Sequence, residues 1–257
     1  MDEELYLRIL RELGSIDYNG CITYSRYNEP LADRIILSRL RQARELVPNA
    51  TLSTHTNGDY LNRSYLEELR DAGLNTLKVQ TYLGNKRKFS DADILTRMSR
   101  QLNDIGFPYK FTVVSPGVRY MAAVRVRGMD VTVDARNFDV IGVDRGQTLS
   151  LPQKYERTSP CLVVFQHLYI DYDGSIVPCC NIRSDEPRHK QYVVENLSNG
   201  TTIFEAFANS ALTDWRRSLL RYGKKKPPCN TCSYEALPDS AYFRARTELV
   251  ASRHNID

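Results

Sequence analysis

Through the first 115 residues, short apolar runs alternate with amphipathic stretches, a rhythm that restricts the chain to a largely parallel sheet with helical crossovers. Glu4–Leu13 carries Leu5, Ile9, Leu10 and Leu13 at helical spacing and stops at Gly14. Gly20–Tyr24 then reads as a buried strand, with Ser25–Pro30 as a loop. A second helix is expected over Ala32–Leu46, ended by Pro48-Asn49, and a second strand over Ala50–Thr54. Ser64-x-x-Glu67 has the spacing of a capping box for a third helix that Gly73 would close, and Thr76–Val79 follows as a strand. Ser90-x-x-Asp93 opens a helix through Leu102, and Tyr109–Val114 is the fourth strand. Right-handed crossovers predict that Ile22–Tyr24, Leu52–Thr54, Leu77–Val79 and Phe111–Val114 are parallel neighbours.

In such sheets ligands collect on the loops after the carboxyl ends of strands. These are Ser25–Pro30, His55–Asp59 and Tyr82–Lys86. Between Val118 and Lys154 the rhythm fails; Val124, Val126, Val131 and Val133 suggest short extended segments, and a domain boundary is expected near Ser150. Beyond it, Leu162–Ile170 reads as a strand, Asp171-Tyr172-Asp173-Gly174 as a hairpin turn, and Ser175–Pro178 as the return strand. Thr202-x-x-Glu205 caps a helix, and Leu212–Tyr222 is another with Trp215 and Leu219 on its apolar side.

The chain has 257 residues, is 42% hydrophobic and 26% charged, and carries a net charge of +4. That composition excludes a disordered chain. No apolar run approaches the roughly 20 residues of a transmembrane helix, and Met-Asp-Glu-Glu lacks the basic start of a signal peptide. A cytoplasmic protein without membrane or nucleic-acid partners is expected. The basic stretch Arg216, Arg217, Arg221 and Lys224–Lys226 suits either an acidic ligand or a solvated helix end, where cations are favourable. His55, after a strand end, reads as a hydrogen-bonding loop residue in preference to a ligand contact, and His167 as a residue on the wet face of a hairpin strand.

Five of six cysteines lie between 161 and 232, with only Cys21 outside. In a reducing cytosol such clustering points to metal ligands before disulfides. A hairpin brings Cys161 and Cys179 together at its base, and Cys229-Asn230-Thr231-Cys232 supplies two more thiolates from one turn. Four thiolates suit tetrahedral zinc or an iron-sulfur cluster; buried apolar cysteines are the bland alternative.

From Cys161 through Asp171–Asn181, Glu205-Ala206-Phe207, Trp215-Arg216 and Cys229–Cys232, the chain resembles the SPASM or shorter twitch region of radical S-adenosylmethionine (radical SAM) enzymes. Gly174-x4-Cys179 and Cys229-x2-Cys232 match that family's pattern residue for residue, and no further cysteine follows. The resemblance implies one auxiliary 4Fe-4S cluster on Cys161, Cys179, Cys229 and Cys232, with Cys180 a packing residue.

The first half is similar to the radical SAM barrel. Tyr27-Asn28-Glu29-Pro30 stands where the family has a Gly-Gly-Glu-Pro loop for the amino group of S-adenosylmethionine. Thr56-Asn57-Gly58 resembles its Thr-Asn-Gly, and Gln80 occupies the place of its ribose-facing polar residue. The resemblance therefore implies S-adenosylmethionine contacts at Tyr27, Asn28, Glu29, Pro30, Asn57 and Gln80. The fold it implies is α/β: a partial (βα) barrel lacking its first strand over 1–150, a small α+β SPASM/twitch domain with a β-hairpin over 151–238, and a helical tail over 239–257. The Cys-x3-Cys-x2-Cys that binds the family's catalytic cluster does not occur in these residues. Met1 is thus expected to stand after it, as an internal start or as the start of a chain that has lost its catalytic end. The implied activity is radical modification of a peptide or a small metabolite such as an aminocyclitol, with flavodoxin or ferredoxin as reductant; catalytic residues are unassigned. A zinc-binding interaction module and an auxiliary-cluster scaffold or electron-transfer protein are the competing readings.

Overall fold

The computed structural model describes residues 1–84 and 88–256; Asn85 and Lys86 of the expected loop Tyr82–Lys86 lie outside them. Two compact units are present, one made of residues 10–141 and the other of 1–9 with 142–257. The element order begins α1 (Glu3–Gly14), β1 (Cys21–Thr23), α2 (Ile35–Leu46), β2 (Thr51–Thr56), α3 (Arg63–Asp71), β3 (Thr76–Thr81), α4 (Asp91–Ile105), β4 (Tyr109–Ser115), β5 (Arg119–Val126), β6 (Met129–Arg136) and α5 (Phe138–Ile141).

The first unit holds a six-stranded sheet in the order β1-β2-β3-β6-β5-β4. Pairings β1–β2, β2–β3 and β3–β6 are parallel, and β6–β5 and β5–β4 are antiparallel. The expected place of Phe111–Val114 beside Leu77–Val79 is therefore wrong. β4 runs in the same direction as β3, as the crossover requires, but two hairpins fold back and insert β6 and β5 between them. The inner hairpin turns on Arg127 and Gly128, both at positive φ (44° and 91°), with Val126 opposite Met129. This two-residue turn matches the twist of its strands. β1 corrects a second expectation: it is an edge strand, with Cys21 and Thr23 exposed.

The core lies between one sheet face and helices α2–α4. Leu40, Leu52, Leu66, Leu69, Leu77, Val79, Ile94, Met98, Leu102, Val131 and Val133 are each at most 1% exposed, and each such side chain contributes roughly 1.5–3 kcal/mol by leaving water. Helix α3 starts two residues earlier than the sequence spacing predicts. Its N-cap is Asn62, which accepts from Tyr65 N at 2.9 Å, and not Ser64. Ser90 caps α4 as expected, and Thr202 and Glu205 form the expected capping box.

In the second unit, α6 (Val163–Gln166), β7 (Tyr169–Ile170), β8 (Ser175–Val177), β9 (Glu195–Asn196), α7 (Ile203–Ala208), α8 (Ser210–Leu220) and α9 (Ala241–Arg253) follow. The expected long strand Leu162–Ile170 is instead a helical turn and a two-residue strand. Val163, Val164 and Phe165 are all buried, so their apolar run does not alternate and carries no strand period. The hairpin itself forms: β7 and β8 pair antiparallel, with Gly174 at φ 83°. β9 completes a three-stranded sheet. The chain is thus a mixed α/β protein with a mainly parallel sheet and a small antiparallel one. Among the described residues no helix is long and apolar enough to cross a membrane.

A candidate iron-sulfur site

The second unit contains a cavity lined by Cys161, Cys179, Cys229 and Cys232, with Arg157 and Asn181 as its main polar companions and Val163, Val164, Trp215 and Leu219 as apolar wall. The four thiols arrive on three separately built supports. The Cys161 amide donates to Leu219 O at 2.9 Å, tying it to the end of α8. Cys179 stands two residues past β8, beyond the hairpin that Gly174 permits. A side chain at Gly174 would approach Leu5 and Ser198 to 3.0 Å at a strained φ. The Cys229–Cys232 turn is held three ways: Arg157 N donates to Asn230 O at 2.7 Å, Thr231 Oγ1 to Asp144 Oδ2 at 2.5 Å, and Gln147 Nε2 to Asn230 Oδ1 at 2.7 Å.

Burial raises the pKa of all four thiols. It is the largest cause for each; neighbouring cysteines add to it for Cys179, Cys229 and Cys232, while the Arg157 charge opposes it at Cys161. Cys229 is pushed up to about 12. Such groups are poor nucleophiles, and they become thiolates when a metal displaces their protons. Among the described residues no three His, Cys, Asp or Glu side chains meet as ligands of a single metal ion. The thiols line a cavity together, a donor set that suits an all-thiolate iron-sulfur cluster. Cys180 does not line it; its neighbour is Tyr169, with which it shares a hydrogen bond. Arg157 escaped sequence reasoning, because no local motif marks it. Arg216 leaves the expected basic surface stretch: it is 4% exposed, donates to Val164 O and Phe207 O, and covers the Phe207 ring.

In the first unit, Glu29 links two of the expected ligand loops. Its Oε1 accepts from Thr56 Oγ1 at 2.6 Å and Leu31 N at 3.0 Å, and its Oε2 from Asn57 N at 2.7 Å. Tyr27 and Asn28 are exposed on the same loop, and Pro30 is buried. Gly58 sits at φ 80°, where a Cβ would come within 2.7 Å of Val79 and Gln101, so this turn needs glycine.

The sheet face away from the helices is polar. His55, Lys78, Gln80, Asp134, Arg136 and Arg119 share it by register, toward the carboxyl ends of the parallel strands. Asp134 is fully buried at its centre. It accepts from Arg119 Nε at 2.9 Å and pairs with Lys78 Nζ at 3.0 Å and Arg136 Nε at 3.5 Å. Gln80, the expected ribose contact, has its amide engaged within this network, donating to Asp134 O and accepting from Arg136. His55 lies at the end of β2 inside this field. Burial lowers its pKa most, and Lys78 and Arg136 lower it further.

Residues 161–233 match the SPASM family, an iron-sulfur cluster-binding domain. That segment is therefore of the SPASM type. The chain is 24% identical, over 91% of its length and 80% of the relative's, to the S-adenosyl-L-methionine-dependent 2-deoxy-scyllo-inosamine dehydrogenase of Niallia circulans. Two solved structures share the fold. BtrN in complex with AdoMet and 2-DOIA superposes with a TM-score of 0.64 at 21% identity, covering 91% of this chain and 81% of that one. SeMet BtrN in an open conformation gives 0.58 at 19%, covering 91% and 80%. The SPASM match begins at Cys161 and ends one residue after Cys232, so it spans all four cavity cysteines.

Proposed function

We propose that this protein is of a radical SAM lineage acting on a small metabolite and holds one auxiliary 4Fe-4S cluster on Cys161, Cys179, Cys229 and Cys232, the thiolates of the lineage's catalytic cluster not being among these residues. The observation that carries the reading is the common cavity of these four thiols within the SPASM segment. The six-stranded unit acts in it as a partial βα barrel that receives S-adenosylmethionine on the loops after β1, β2 and β3. When bound, the auxiliary cluster supplies a one-electron acceptor or a binding site for substrate.

Similarity along 91% of the chain to a dehydrogenase of 2-deoxy-scyllo-inosamine supports a hydroxylated, aminocyclitol-like substrate over a peptide. The polar face of the sheet fits this, since its histidine, lysine, glutamine and arginines match hydroxyl and charged groups of a small molecule. A cytoplasmic setting, which keeps the thiols reduced, and a flavodoxin- or ferredoxin-type reductant belong to the same reading.

Glu29 is the residue assigned to the cofactor's ammonium. Its Oε2 accepts one hydrogen bond in the structure, leaving lone-pair capacity for a charge-assisted bond. Losing such a bond costs on the order of 1.5–3 kcal/mol, so Glu29→Gln should weaken S-adenosylmethionine binding roughly ten- to a hundredfold. Equilibrium dialysis under anaerobic conditions measures this. Equal affinity in both proteins removes Glu29 from the site, and no binding by either removes the cofactor reading. The colour of the reconstituted protein separates the alternatives: brown with broad visible absorption for the cluster, colourless for a zinc-binding module.

A further inference from the structure

Arg157 is buried to 1% exposure, yet its guanidinium meets only main-chain carbonyls. Nε donates to Ser159 O at 3.0 Å, one terminal nitrogen to Cys232 O at 3.1 Å and Tyr234 O at 2.7 Å, and the other to Pro160 O at 2.5 Å and Glu235 O at 3.4 Å. No carboxylate among the described residues forms an ion pair with it. An interior cation without a counter-charge is strongly unfavourable, and carbonyl dipoles solvate it only in part. The cavity that Arg157 lines supplies what is missing, because four thiolates around iron carry net negative charge.

We propose that Arg157 is the counter-cation of the iron-sulfur cluster and sets its reduction potential. This rests on the cluster reading above. Its five bonds also join the segment before Cys161 to the Cys232–Glu235 segment, so one side chain fixes two of the ligand-bearing stretches and places a positive charge beside both. Reduction adds one electron to an already anionic centre. A fixed neighbouring cation favours the reduced form, and removing it lowers the potential.

The test is an anaerobic dithionite titration followed by electron paramagnetic resonance, with iron and sulfide counted per chain, on wild type, Arg157→Lys and Arg157→Gln. In Arg157→Gln the reduced-to-oxidised ratio at fixed potential should fall at least tenfold, equivalent to about 59 mV for one electron. Arg157→Lys keeps the charge and should change the ratio less than twofold with full iron. Loss of the cluster in Arg157→Gln alone, with Arg157→Lys intact, also supports a charge requirement. Equal shifts in both variants, no shift in either, or failure of both to assemble iron would make Arg157 a clamp whose charge is irrelevant, and the proposal falls. If wild type itself takes up no iron, the cluster reading fails instead.

Discussion

Replacing Cys229 and Cys232 together by serine should reduce iron per chain about tenfold or more after anaerobic reconstitution, with loss of the broad visible absorption. The two residues supply half of the thiolates facing the cavity, and a four-iron cluster has no other thiol there to recruit. Cys180→Ser is the matched control: Cys180 is next to a ligand in sequence, but it does not line the cavity and is engaged with Tyr169. Its iron content should stay near that of wild type. The fold of the double variant should persist in part, because α8 and the helical turn α6 are also tied by apolar contacts of Leu162, Val164, Phe165 and Leu219. Full iron in the double variant, or loss of about half the iron in Cys180→Ser, would reassign the ligands.

Asp134→Asn should strongly destabilise the six-stranded unit. The carboxylate is fully buried and faces Lys78, Arg119 and Arg136. Breaking a buried pair typically costs 3–5 kcal/mol. The three cations are each about a third exposed and regain some hydration, so a loss of about 2–3 kcal/mol is expected by urea denaturation at pH 7. The pH dependence fixes the mechanism. Burial by itself would raise the Asp134 pKa, but hydrogen bonds and charges from Arg119 and Lys78 outweigh it and hold the carboxyl below its ordinary range. A depressed folded pKa means that the unfolded chain binds the proton more readily. The stabilisation is therefore present above the unfolded value near 3.9 and is lost as pH falls through the folded one. The gap between wild type and Asp134→Asn should narrow as pH drops from 5 toward 3. A gap that is absent at pH 7, or constant with pH, contradicts this account.

Local patterns explain how much of this protein is legible in sequence. Gly174 lets the hairpin turn, Cys229-x2-Cys232 bends two thiols toward one side, and Gly58 and Gly73 mark turns at positive φ. Each depends on residues within a few positions of one another. The helices α1 to α4 follow from apolar spacing for the same reason. Thr56-Asn57 and Glu29 were individually visible as loop residues, but their hydrogen-bonded union joins loops 27 residues apart and appears only in the folded chain.

Sequence determined the alternation of strands and helices, the hairpin and the four clustered cysteines, because backbone sterics, capping and side-chain period act over one or two turns. Tertiary structure alone decided that β6 and β5 enter the sheet between β3 and β4, since an Arg127-Gly128 turn permits a hairpin without saying which strand its far side will meet. It alone turned Leu162–Phe165 into a helical turn, because an apolar run buried on all sides satisfies helix and strand equally. It alone also brought Arg157 under the thiols. The five carbonyls that hold that guanidinium come from residues 159–160 and 232–235, and electrostatic interactions follow distance in space, which the order of residues along the chain does not record.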